Sequence, residues 1–187
     1  MHSLIITAHP SPLGFTHSIA ETFLNTRKAK GHSGEIMNLY AEQWKNDFLV
    51  FRDQQELSAR GKELSVVQQM IKTADELVFI FPIWWYDVPA ILKNFLDSNF
   101  AAGFAFEFTP KGIKGLLTGK TVRFFSTSGA PGMLYRFGIM SYAPTFRTSL
   151  KNCGMHIVSY TFFGGRMKPD PQKEQAWLKQ VEKIALE

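Results

Sequence analysis

The sequence predicts an α/β protein, a doubly wound five-stranded parallel sheet with helices on both faces. Three observations carry that expectation. Short apolar runs alternate with segments of helical period five times along the chain. One run, 77–81, is apolar throughout, as a strand covered on both faces must be. The 187 residues, 45% of them hydrophobic, contain no internal repeat, low-complexity stretch or linker, so one domain over 1–187 is expected. Right-handed crossovers then place helices on both sides of the sheet.

The elements follow in order. Residues 3–7 form an apolar run that ends in His9-Pro10-Ser11-Pro12-Leu13-Gly14, a loop by its two prolines and glycine. Thr16 is placed to cap a helix whose stripe is Ile19, Ala20, Phe23 and Leu24, with Lys28, Lys30 and Gly31 at its end. Residues 35–39 read as a second strand, and 40–55 mix aromatics and charges without period, so they are expected to be irregular. A helix is expected over 57–74, with Leu64, Val67, Met70 and Ile71 on one face. The strand 77–81 is ended by Pro82, and a helix over 89–96 starts on a proline. A strand over 121–125, a helix over 142–152, a strand over 156–163 and a helix over 172–186 complete the chain. Phe104, Phe106 and Phe108 alternate, which predicts a half-buried extended segment.

Composition excludes several classes. Aromatics make up 14% of the chain, far too much for a disordered protein. A single cysteine, Cys153, cannot form an internal disulfide and fits a reducing compartment. The five histidines have no zinc-type spacing to it, so no metal site is expected. The first residues show neither a cationic leader nor a long apolar run, and no 18-residue apolar stretch occurs, so a cytoplasmic location is expected.

Charge is unevenly spread. From Phe108 to Pro169 there are nine Lys or Arg and no acid, whereas the remainder carries twelve bases and sixteen acids. Such asymmetry points to an anionic partner. A nucleic acid is not expected, because the bases are interspersed through strands and turns and no recognition motif is present.

In a doubly wound sheet, ligands sit outside the carboxyl ends of the strands. That rule selects three loops, 8–16, 82–88 and 126–135. The first runs into a helix N-terminus, which attracts anions, and His9, Ser11, Thr16 and Ser18 add donors. It is either a phosphate cradle or an ordinary capping loop; it has neither the dinucleotide glycine fingerprint nor the nucleotide P-loop. The second, Pro82-Ile83-Trp84-Trp85-Tyr86, holds three consecutive aromatics that cannot all enter one core. They wall a flat ligand, or a subunit interface, or both. In the third, small residues around Thr127-Ser128-Gly129 let a ligand edge approach the backbone, and Tyr135 follows. Ser128 lacks the upstream glycine of a nucleophile elbow, since position 126 is serine, which argues against a serine hydrolase.

These residues carry a resemblance. Ala8-His9 before Phe15-Thr16, the block Pro82-x-x-Trp85-Tyr86-x-x-Pro89-Ala90-x-Leu92-Lys93, Gly103-Phe104-Ala105-Phe106 and Gly119-Lys120 before Thr127-Ser128-Gly129 occur in order over most of the chain. The sequence resembles the flavodoxin-like NAD(P)H:quinone oxidoreductases, which include the mammalian quinone reductase and bacterial potassium-efflux ancillary proteins.

The resemblance implies FAD, or alternatively FMN, with NAD(P)H as reductant, a quinone or similar acceptor, ping-pong hydride transfer and an obligate homodimer with sites at the subunit interface. Its alternative is a regulatory flavoprotein subunit in contact with a membrane potassium-efflux transporter. By position, His9, Phe15, Thr16 and Ser18 would hold the flavin phosphate side. Pro82, Ile83, Trp84, Trp85 and Tyr86 would line one edge of the ring, and Thr127, Ser128, Gly129 and Tyr135 the other. Relatives pair the tyrosine with a histidine five or six residues on; this chain has Met140 there, so Tyr135 is expected to act alone, as a hydrogen-bond donor. Phe106 and Phe108 stand where the mammalian enzyme has tyrosines, which predicts a drier acceptor pocket shared with Met140.

Overall fold

A computed structural model describes residues 1–53, 56, 64–140, 142–168 and 170–187. Five parallel strands form the main sheet: β1 (His2–Thr7), β2 (Ser33–Asn38), β3 (Glu76–Pro82), β6 (Thr121–Thr127) and β7 (His156–Phe163). Their order is β2-β1-β3-β6-β7. Relabelled along the sheet, that is 2-1-3-4-5, the order of flavodoxin-type sheets. A separate antiparallel hairpin pairs β4 (Phe106–Thr109) with β5 (Gly112–Gly115).

Alternation along the strands divides the core. Leu4, Ile6, Leu77, Phe79, Phe81 and Phe124 face one side. Ile5, Val78, Ile80 and Phe125 face the other. The first side is covered by α2 (Val66–Thr73), α3 (Ala90–Asn99) and α5 (Pro144–Asn152), through Ile71, Leu92, Phe95, Phe146 and Leu150. The second is covered by α1 (Phe15–Ala29) and α6 (Pro171–Ala185), through Ile19, Phe23, Val181 and Ala185. A short α4 (Gly132–Arg136) lies between β6 and α5.

Several boundaries differ from expectation, each for a local reason. Thr16 does not cap α1: the helix starts at Phe15, Gly14 is its N-cap, and Thr16 is fully buried in the first turn. Gly31, with φ 79°, ends that helix in the left-handed conformation, as a glycine can without strain. The expected helix over 57–74 lies partly outside the described residues; its described part starts after Ser65, whose hydroxyl accepts from Gln68 N–H while Gln68 Oε1 accepts from Ser65 N–H. β3 begins one residue early, at Glu76, because the carboxylate is buried against Arg27 and Arg123 rather than solvated. α5 begins only at Pro144, preceded by Ala143 at φ 42°. Phe108 is 75% exposed, not half-buried; Phe106, two residues before it, is half-buried and packs against the first core cluster.

Candidate active site

The three loops converge at the carboxyl end of the sheet, and backbone hydrogen bonds hold them there. Ala8 N–H donates to Ile80 carbonyl at 3.0 Å, fixing the first loop to β3. Ile83 N–H donates to Thr127 carbonyl at 2.8 Å, fixing the second loop to the third. Ser128 N–H donates to Phe163 carbonyl at 3.2 Å, and Arg166 N–H returns to Ser128 carbonyl at 3.0 Å. The segment after β7 therefore joins the site as a fourth loop.

In the first loop, His9 Nδ1 lies 3.1 Å from the Ser11 N–H and 3.3 Å from the Ser11 carbonyl; it accepts from the first when the ring nitrogen is bare and donates to the second when it is protonated. A Cβ on Gly14 would lie 2.6 Å from His9 Nδ1, so only glycine lets the loop close against that ring. Burial lowers the His9 pKa; the Ser11 backbone partly offsets this, and His17 and Arg166 lower it further. Arg166 lies over the ring of Phe15 in the first turn of α1 and is paired with Glu174. Thr16 Oγ1 and His17 Nε2 are buried and make no hydrogen bond. Ser18 is half-buried. Phe15 belongs chiefly to the core: it packs edge-on to Phe163 at 5.9 Å, with Arg166 over its face at 4.6 Å.

The second loop is a tight turn. Trp84 and Asp87 exchange both backbone hydrogen bonds at 3.0 Å, and the two residues between, Trp85 and Tyr86, have φ of 50° and 65°. Non-glycine residues there cost about 1–3 kcal/mol each. The turn turns the aromatics outward: Trp85 is 94% exposed, and Trp84 and Tyr86 roughly half. Pro82 and Ile83 are buried at its base.

In the third loop, Thr127 and Ser128 are buried, and Ser128 Oγ donates to Ala130 carbonyl at 2.8 Å. Gly129 leaves room for Met167, whose sulfur would lie 2.8 Å from an added Cβ. Tyr135, on α4, stacks on Phe162 with centroids 5.7 Å apart. Burial raises its hydroxyl pKa, nearby Tyr86 adds to the rise, and Ser128 opposes it, so the hydroxyl stays a proton-bearing donor at neutral pH. Met140 is half-buried and packs against the first core cluster. Phe106 and Phe108 touch edge to face at 5.3 Å, and Phe106 lines a separate cavity of about 540 Å³ with Phe48, Phe100 and Cys153. The structure thus gathers the flavin candidates at one end of the sheet but does not bring Met140 into that cavity.

Arg166 follows β7 and so lies outside the three loops that the sequence selects. Two signals pointed to it: the acid-free stretch, and the rule that every strand's carboxyl end contributes.

The whole arrangement is a cluster of loops at the carboxyl ends of a doubly wound parallel sheet, where ligands bind in such folds. The chain belongs to the family described as flavodoxin-like fold, whose model matches residues 1–185. It is 26% identical to rat (Rattus norvegicus) NAD(P)H dehydrogenase (quinone) 1, over 97% of this chain and 77% of the relative. It is 28% identical to FMN-dependent NADH:quinone oxidoreductase 2 of Listeria monocytogenes, over 98% of this chain and 96% of the relative. The crystal structure of Smu.1420 from Streptococcus mutans UA159 is similar at TM-score 0.86 and 30% identity, covering 99% of this chain and 98% of that one.

Proposed function

We propose that the protein is an NAD(P)H:quinone oxidoreductase that works through a bound flavin, and that the flavin is FMN. The observation that carries this is the pair of buried, unpartnered groups Thr16 Oγ1 and His17 Nε2 at a helix N-terminus, with His9 in the preceding loop and Arg166, paired with Glu174, over Phe15. Such a donor set suits a phosphate monoester. FMN, rather than the FAD first expected, is supported by the name of the Listeria relative, which aligns over nearly its full length. Neither named enzyme relative is described as a transporter subunit, so nothing favours the regulatory alternative.

Bound flavin supplies the two-electron relay between nicotinamide and quinone. The chain's own residues do the rest. His9, Thr16, Ser18 and the first-turn amides of α1 hold the phosphate, with Arg166 behind them. Trp84, Trp85 and Tyr86, fixed by the tight turn over Pro82 and Ile83, form one wall of the ring site and exclude water from it. Thr127, Ser128 and Gly129 form the opposite edge; the Ser128 N–H is held by Phe163, so the amide of Gly129 is the one turned to negative charge there, as in an oxyanion hole. Tyr135 offers its hydroxyl there as a donor.

Assembly as a homodimer belongs to the same reading. Trp85, Phe108, Phe48 and Ile113 are more than half exposed, and an apolar surface of that extent calls for a second copy. Phe106 and Phe108 then wall the acceptor pocket at the interface, without Met140 of the same copy. Residues 1–187 act as one flavin-binding unit. Among the described residues no helix is long and apolar enough to cross a membrane, and the buried Cys153 thiol suits the reducing cytoplasm.

The test is the small molecule released by heating purified protein. FMN, identified by mass and absorption spectrum, at one per chain is expected; FAD, or a colourless protein that takes up neither flavin, contradicts the proposal.

A further inference from the structure

Beside β7, at the open edge of the sheet, lies a cleft of about 1070 Å³. That is the upper range of small-molecule sites. Its walls come from α4, the start of α5, β7 and α6. Of the residues assigned to the flavin, only Tyr135 touches it. Its lining includes Arg136, Arg147 and Lys173 and no acid, so the local potential is positive.

Arg147 is the centre of this cleft. Its guanidinium carbon lies 4.5 Å from the Tyr160 ring centroid and 5.1 Å from that of Tyr142. Two aromatic faces orient the cation and strip part of its water. Among the described residues no carboxylate pairs with it. Its Nε is buried and without a partner, and so is the Tyr142 hydroxyl, on a residue only 4% exposed. Burial raises the Tyr142 hydroxyl pKa, so it remains a donor. A partly desolvated cation beside an unused buried donor is costly unless an anion meets both. Phe137, 71% exposed, and Trp177 add apolar walls on which a ring can lie.

We propose that this cleft binds a planar aromatic anion, its charged group taken by Arg147 and the Tyr142 hydroxyl and its ring laid against Phe137 and Trp177. The site is separate from the flavin site and stands whether or not the chain reduces quinones. Because α4 walls the cleft and carries Tyr135, occupancy is read at the back of the third loop.

The probe is 6-fluoro-2-naphthoate, titrated into the flavin-loaded protein and followed by ¹⁹F NMR, with 6-fluoro-2-naphthamide as its uncharged counterpart. Saturable binding of the acid is expected, with the amide weaker by about tenfold or more, as for loss of a charge-assisted pair. Arg147→Leu is expected to weaken the acid by about tenfold or more, Arg147→Lys by less, and Tyr142→Phe by a few-fold. Each variant is checked for unchanged melting temperature and flavin content, and Tyr142→Phe keeps the test decisive if Arg147→Leu folds poorly. Saturating menadione must leave acid binding unchanged. Equal binding of acid and amide, no saturable binding, indifference to both Arg147→Leu and Tyr142→Phe, or competition with menadione would overturn the proposal.

Discussion

The backbone N–H of Ile83 donates to the carbonyl of Thr127 at 2.8 Å, just beyond the last paired residues of β3 and β6. That one bond extends the sheet by a rung and sets the spacing between the aromatic turn and the small-residue loop. The turn itself is strained at Trp85 and Tyr86 and holds its side chains in solvent. Strain and exposure together are the mark of a segment kept for a ligand or a partner rather than for stability.

Trp85→Gly therefore separates stability from binding. Glycine relieves the positive φ, so the flavin-free protein should melt a few degrees higher, about 2–4 °C per kcal/mol for a chain of this size. FMN affinity should fall at the same time. Differential scanning of apo and loaded protein checks both. A lower apo melting temperature would make Trp85 a core residue.

Thr16→Val tests the phosphate end. The substitution keeps the shape and removes a buried hydroxyl that has no partner. Apo stability should hold or rise, since no hydrogen bond is lost. FMN should bind about tenfold more weakly, as read by fluorescence titration.

His9 gives a pH signature. Its folded pKa lies below the ordinary 6.5, chiefly through burial. The unfolded chain then binds the proton more readily, so the apo protein loses stability as pH falls below about 6.5. Anion binding raises that pKa and should shrink the loss in the loaded protein. Melting temperatures from pH 8 to 5, with His9→Asn as control, show this slope; an unchanged slope in His9→Asn would assign it elsewhere.

At the opposite end of the strands, Glu76 is fully buried and accepts from Ser3 Oγ at 2.9 Å, Arg27 Nη2 at 3.1 Å and Arg123 Nε at 2.7 Å. Glu76→Gln leaves two buried cations without their anion and should cost about 3–5 kcal/mol. Urea unfolding should show the loss with FMN affinity unchanged, because the network lies far from the ligand end.

Legibility varied with physics. The bounds of β7 could be read from sequence, since Gly154 precedes a run rich in β-branched and aromatic residues in which only His156, Ser159 and Thr161 are polar besides the Tyr160 hydroxyl. β6 was cut short at Phe125 because Ser126 and Thr127 look like loop, though both are buried in the sheet. Glu76 falls outside the expected 77–81 strand because the two arginines that let its carboxylate be buried are distant in sequence. The Trp85-Tyr86 turn was hidden for want of glycine, and α4 by the Pro131-Gly132 start that resembles a loop. The three ligand loops were legible because strand ends, helix starts and exposed aromatics are local signals. Arg166 needed the fourth strand's end to be counted as well.

Tyr135→Phe isolates the hydroxyl. With methionine at 140, no side chain there can take its proton. Reduction of the loaded protein by NADH should slow by about tenfold, the worth of one neutral hydrogen bond. The effect should be flat across neutral pH, because burial raises the hydroxyl pKa. Stopped-flow absorbance checks it; an unchanged rate would make the tyrosine structural, with backbone donors acting alone.

The most direct test is an anaerobic titration of FMN-loaded protein with NADH and then NADPH, followed by menadione. The flavin absorbance should bleach with one equivalent of at least one of the two nucleotides per chain and return with one equivalent of quinone. Loaded protein that neither nucleotide bleaches, or that menadione fails to reoxidise, would contradict the account.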